Sequence, residues 1–219
     1  MPHYSVTEET NLVFDENSIY LVDSGGQYRD GTTDITRTVI IGSPSREQMD
    51  RYTRVLKGHI AISKATFVSG TKGSELDPIA RKSLQEIGCD YEHGTGHGIG
   101  SFLSVHEGPQ RIAKSKGQGD GVIKEGMILS NEPGYYKKGE YGIRIENLLI
   151  CCSYNGNSLC FENISWAPFD IDLIDISLLN EDEIQWLNNY HYNLYNKVSH
   201  NLEKEEREWL KYITSPLEK

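Results

Sequence analysis

Two pairs of acidic residues stand at spacings that suit the two arms of a hairpin. Asp23 and Asp34 lie eleven positions apart with Gly25, Gly26, Asp30 and Gly31 between them, and Glu132 and Glu146 lie fourteen apart, centred on Gly139 in "YYKKGEYG". Folding each stretch back on itself carries the members of a pair onto neighbouring strands, within roughly 5 Å if they share a face. Arg144 alternates with Ile143 and Ile145, which puts it on the face of Glu146. Four carboxylates gathered in one place repel one another, so something positive must compensate. Oxygen-rich sites with an imidazole suit divalent manganese, iron, cobalt or zinc, and shared carboxylates can bridge two ions. The imidazole can come from "YEHGTGHGIGSFLSVHEGP", residues 91–109, which holds His93, His97 and His106 among glycines.

Each residue alone has a plainer reading. Asp23 and Asp34 can flank a turn with satisfied hydrogen bonds, Glu132-Pro133 can be a solvated strand end, and the three histidines can be packing residues. His59, His191 and His200 fall in helical patterns among polar neighbours and are read as surface or packing residues. The joint pattern of two acid-bearing hairpins with a histidine cluster between them favours a metal site.

Those hairpins need strands and the strands need cover. Residues 19–23 and 35–41 are rich in β-branched and aromatic residues and read as the first hairpin, and residues 127–132 with 143–152 as the second. Ser45 to Phe67 carries Met49, Tyr52, Val55, Leu56, Ile60 and Ala61 near helical spacing, and Leu76 to Ile87, closed by Gly88, is expected as a second helix. Lys114 to Gly121 reads as a polar glycine-rich loop, Phe161 to Ile174 as one or two strands, and Asn180 to about Ile213 as helix with acidic residues in its first turn.

Composition narrows the classes. A chain of 219 residues can bury the core of one large domain. A net charge of −10 with scattered basic residues disfavours nucleic acid as a partner, and the longest apolar run, "LLICC", is too short to cross a membrane. Cys89, Cys151, Cys152 and Cys160 form no C-x-x-C pair, which fits reduced thiols; with no visible secretory signal at "MPHYSVTEET", a cytoplasmic location is expected.

The segments "DSGGQYRDGTTDITRT", "HGTGHGIGSFLSVHEGP", "NEPGYY" and "GIRIEN", in this order, closely resemble the catalytic domain of Xaa-Pro aminopeptidases (aminopeptidase P) of the eukaryotic cytosolic type, in metallopeptidase family M24. The resemblance implies an α+β pita-bread (creatinase/aminopeptidase) fold, a curved antiparallel sheet flanked by helices. It implies a dinuclear site, commonly of manganese (Mn2+) in this branch, held by Asp23, Asp34, His97, Glu132 and Glu146. Asp34 and Glu146 would bridge both ions, Asp23 would bind one, and His97 with Glu132 the other. By the same resemblance Glu132 accepts and returns the proton, His106 contacts the substrate carbonyl, His93 and His3 bind substrate, and Arg144 orients the bridging carboxylate. The implied substrates are peptides with proline in second position.

Relatives of this kind begin well upstream of "HY" at His3, so the fold is expected to be N-terminally truncated, with residues 1–175 the pita-bread catalytic domain and 176–219 a C-terminal helical extension. A homodimer through the aromatic C-terminal segment is a further expectation. A prolidase-like dipeptidase and a non-catalytic pita-bread binding module are the alternative functions. Loss of metal ligands would mark the module, and all five positions are filled.

Overall fold

The computed structural model describes residues 4–101, 104–114 and 120–219. The chain opens with a long hairpin, β1 (Ser18–Tyr28) and β2 (Gly31–Ile41), joined by a two-residue turn at Arg29 and Asp30. Gly25 and Gly26 therefore lie inside a strand and not in the turn. Asp34 stands opposite Gly25 and Asp23 opposite Thr36, so the two aspartates share a face but are offset by two residues.

Helix α1 (Arg46–Ser63) follows, its start fixed by a capping box in which Ser45 accepts from the Gln48 N–H and Gln48 accepts from the Ser45 N–H. It ends earlier than the expected Phe67, because Thr66–Val68 leave the helix as strand β3 to pair with residues 158–160. Helix α2 (Gly73–Gln85) crosses α1 closely, with the Ala80 carbonyl lying where a side chain on Gly58 would be. Short strands β4 (Gly96–His97) and β5 (Arg111–Ile112) pair with each other on the far side of α2.

The second hairpin is longer than its sequence suggests. Strands β6 (Ile128–Asn131) and β9 (Asn147–Ser153) pair from Ile128 opposite Ile150 to Asn131 opposite Asn147, and β7 (Gly134–Lys137) and β8 (Tyr141–Arg144) continue the same frame. In that frame Glu132 stands opposite Glu146, where the ladder is interrupted. "YYKKGEYG" is thus mostly strand, with the turn confined to residues 138–140. Strand β10 (Ser158–Asn163) completes a four-stranded antiparallel sheet in the order β3-β10-β9-β6.

Beyond Asn163 the expected strands give way to an irregular segment with single 3-10 turns at Ile171–Leu173 and Ile176–Leu178, capped by Asp170 and Asp175. Helix α3 (Glu181–Val198) begins at a capping box on Asn180, and a break at residues 199–203 separates it from α4 (Lys204–Ile213), where one helix was expected. The main core is built from α1 and α3 around Phe169, with Tyr52, Leu56, Leu187, Tyr190 and Leu194 buried against it. His59 and His191 are both buried packing residues there, and desolvation holds the imidazoles down to about 3 and about 4 respectively. Among the described residues no helix is long and apolar enough to cross a membrane.

The α1–α2 crossing yields a direct test. Gly58→Ala gains about 0.8–1 kcal/mol of helix propensity but forces a methyl onto the Ala80 carbonyl, and overpacking of this kind costs about 1–3 kcal/mol. Denaturant titration should show net destabilisation; a stabilised variant would mean the crossing is looser than described.

Candidate metal centre

The glycine-rich histidine stretch is held from below by α2. The Arg81 guanidinium, buried, pairs with Asp77 at 2.6 Å and Asp90 at 2.8 Å and lies 3.8 Å over the Tyr91 ring. It donates to the carbonyls of Tyr91 (2.6 Å) and His93 (2.8 Å). The Thr95 hydroxyl donates to Asp77 and meets the Tyr91 hydroxyl at 2.6 Å. These bonds hold residues 91–95, which belong to no helix or strand. Gly96 then lies against the Ser130 carbonyl of β6, where any side chain would collide, and the His97 N–H donates to Ser130 Oγ at 2.9 Å.

Glu132 and Glu146 oppose each other at a non-hydrogen-bonded position of the second hairpin, so their backbone donors point outward to neighbours. The Glu132 N–H donates to the Thr95 carbonyl at 2.7 Å and the Glu146 N–H to the Thr36 carbonyl at 3.1 Å. These bonds tie the histidine stretch to the end of β6 and the first hairpin to the start of β9, with the two glutamates between them. Asp34, His97 and Glu146 each offer a ligand atom within 4.8 Å of the others. His97 Nε2 lies 3.5 Å from Asp34 Oδ2 and 3.3 Å from Glu132 Oε1, while its Nδ1 faces the Gly98 carbonyl at 2.9 Å. An Nδ1–H donated to that carbonyl leaves the Nε2 lone pair for a cation.

Asp23 sits at the mouth. Its side chain is 48% exposed and pairs with Arg144 Nη2 at 2.6 Å. Arg144 reaches Glu146 through Thr36, whose hydroxyl lies 3.3 Å from Arg144 Nε and donates to Glu146 Oε2 at 2.6 Å. Arg144 Nη1 also donates to the Tyr136 hydroxyl at 2.9 Å, and that hydroxyl lies 2.8 Å from His93 Nε2. The His106 ring packs edge-on against His97, with centroids 4.0 Å apart. Every described candidate side chain lines one cavity of about 400 Å³. His3 lies outside the described residues. The sequence reading did not single out Thr36, Ser130 or Tyr136. Thr36 was within reach, since it shares the face of Asp34 by strand alternation.

The electrostatics are those of a cage short of positive charge. Burial pushes the Glu132 carboxyl up to about 7, against the lowering effect of His97, Arg144 and the Ser130 hydroxyl. Burial and then the charges of Glu132 and Asp34 drive Glu146 well above the ordinary range. Burial would lower His97, but its bond to Asp34 and the charge of Glu132 outweigh it and leave the imidazole raised. Without cations the cage holds protons instead. The donor set of buried carboxylates around one imidazole fits a pair of divalent ions.

Comparison with known proteins agrees with this architecture. Residues 1–152 match the model of metallopeptidase family M24 and residues 157–217 that of the C-terminal region of the family; the chain belongs to family M24. Aminopeptidase P1 of Lotus japonicus is 49% identical over 98% of this chain and 34% of its own length. The crystal structure of X-prolyl aminopeptidase from Caenorhabditis elegans, described as a cytosolic enzyme with a di-nuclear active site, superposes with a TM-score of 0.94 at 41% identity, over 99% of this chain and 36% of that one. Prolidase from Pyrococcus furiosus superposes less completely, with a TM-score of 0.58 at 32% identity over 68% of this chain and 41% of that one. The chain spans about a third of the length of the curated relatives it matches.

Two outcomes follow from the cage. Gly96→Ala should push β4 off β6 and weaken divalent-ion uptake by roughly 10- to 100-fold, as loss of ligand support does elsewhere; unchanged uptake in a metal titration would contradict the close approach. In the ion-free protein Glu132 contributes stability that is complete below its ordinary 4.5 and lost as pH rises through about 7. Glu132→Gln should therefore gain stability on the wild type as pH rises across that window, measured by urea denaturation; a constant difference would contradict the raised proton affinity.

Proposed function

We propose that this chain is the catalytic domain of a metal-dependent Xaa-Pro aminopeptidase, releasing the N-terminal residue from peptides with proline in second position. The observation that carries the reading is the convergence of Asp34, His97 and Glu146 within 4.8 Å, with Glu132 at 3.3 Å from the imidazole, on a fold of which 99% superposes on 36% of an X-prolyl aminopeptidase. Asp34 and Glu146 would hold both of two ions, with Asp23 for one and His97 with Glu132 for the other. Manganese is the proposed metal.

When bound, two divalent ions supply a nucleophilic water near neutral pH and positive charge for the oxyanion of the tetrahedral intermediate. Glu132 takes the proton from the attacking water and returns it to the proline nitrogen, which as a tertiary amide must be protonated to leave. His106, beside His97, donates to the substrate carbonyl region, and His93 lies across the same cavity, oriented by Tyr136. Arg144 keeps Asp23 and, through Thr36, Glu146 in place. His3 is proposed as a further substrate contact, residues 1–175 and 176–219 as catalytic domain and extension, the cytosol as the compartment, and a homodimer as the assembly.

The reading is tested in the full-length protein. After manganese loading it should bind two ions per chain, falling sharply in Asp34→Ala and Glu146→Ala, and should cleave Arg-Pro-Pro-type peptides at their first bond. Glu132→Gln and His106→Ala should reduce kcat by about 100-fold or more, the scale of general acid–base and oxyanion contributions. Cleavage confined to dipeptides with C-terminal proline would favour the prolidase-like function, and metal binding without hydrolysis the binding module.

A further inference from the structure

Three arginines are buried near the cage, and one is partnered unlike the others. Arg81 and Arg144 each hold a carboxylate at 2.6 Å. Arg37, only 8% exposed, gives its donors among the described residues to neutral oxygens. Its Nε reaches the Pro168 carbonyl (2.9 Å), Nη1 the carbonyls of Thr36 (2.8 Å) and Glu146 (2.6 Å), and Nη2 the Asn147 side chain (2.7 Å), the Ala167 carbonyl (2.7 Å) and the Tyr190 hydroxyl (3.1 Å). The guanidinium lies 4.6 Å from the Phe169 ring centroid. On β2 it points away from the cavity, since Asp34 and Thr36 occupy the other face.

A buried cation with no carboxylate in contact is costly to fold around, and a positive charge behind a cation site does nothing to attract cations. Charge is therefore a poor reason for Arg37. Geometry is a better one. Asn147 still pairs with Asn131, but the backbone groups of Glu146 point away from Glu132, so what fixes them must come from outside the second hairpin. Arg37 takes up the Glu146 carbonyl and the Asn147 side chain, while its neighbour Thr36 takes up the Glu146 N–H and carboxylate. Glu146 is thus gripped on three sides by two consecutive residues of β2. The other end of the same planar fork is anchored in residues 167–168 and α3.

We propose that Arg37 is the positioning residue for Glu146: its planar five-donor fork holds the interrupted strand so that the carboxylate can bridge two ions. The inference rests on the reading of Glu146 as a bridging ligand. A lysine carries the same charge but offers three donors with no fixed plane, so Arg37→Lys separates geometry from charge.

In the full-length protein, Arg37→Lys should weaken binding of the second manganese by about tenfold or more and replace the exchange-coupled two-ion electron paramagnetic resonance spectrum with that of isolated ions at equal loading. kcat should fall with KM nearly constant. Leu210→Ala, which empties a buried position in α4, should lower the melting temperature and leave the coupled spectrum intact. An Arg37→Lys protein that binds two coupled ions with wild-type affinity overturns the proposal. If that variant fails to fold, Asn147→Ser and Tyr190→Phe carry the test: loss at the Glu146 end should weaken the second ion and loss at the α3 end should not. Equal effects, or none from Asn147→Ser, overturn it. Glu146→Ala run in parallel keeps the failures apart, because retention of two ions there defeats the ligand assignment itself.

Discussion

Mutual repulsion among buried carboxylates is the constraint around which this structure is organised. Asp34 is 6% exposed and Glu146 1%, with Glu132 close by and one imidazole between them. Two unit charges about 4 Å apart repel by about 4 kcal/mol at an effective dielectric of 20, a large share of the roughly 5–15 kcal/mol that keeps a domain folded. Such a cluster persists only if protons or cations neutralise it. The raised proton affinities of Glu132 and Glu146 describe the first state, and the membership of a metallopeptidase family points to the second.

Holding ligands that repel requires rigid attachment from several directions, and the interrupted hairpin provides it. Glu132 and Glu146 face each other at a non-hydrogen-bonded position of the antiparallel frame, so their backbone groups point outward to flanking segments. Their N–H groups donate to the carbonyls of Thr95 and Thr36, so this one position joins the histidine stretch, the first hairpin and the sheet at a single point. The buried arginines serve the same end by different means. Arg81 anchors the histidine stretch to α2, Arg144 links Asp23 to Thr36 and Tyr136, and Arg37 clamps the backbone behind Glu146.

Much of the site was legible because strand alternation and hairpin symmetry are local. The fourteen-residue spacing of Glu132 and Glu146 about Gly139 matches the observed frame. Register in the first hairpin was not legible, since the tight turn at Arg29 and Asp30 sits off the midpoint of the two aspartates. The early end of α1 reflects pairing of Thr66–Val68 with a strand some ninety residues later, a contact no local pattern encodes. The loss of strand after Asn163 has a similar origin, since Asp170 spends its carboxylate on capping a 3-10 turn and on the Ile40 N–H. Arg37 carries no signal of its own in "DITRT"; its role exists only once residues 146–147 and 167–168 are brought around it.

The most direct measurement is anomalous X-ray diffraction from crystals of the manganese-loaded full-length protein. Two peaks should lie roughly 3.5–4 Å apart, the usual separation in two-metal sites, with Asp34 and Glu146 between them, Asp23 on one and His97 with Glu132 on the other. A single peak, or ions bound away from the interrupted hairpin with those oxygens turned outward, would contradict the account.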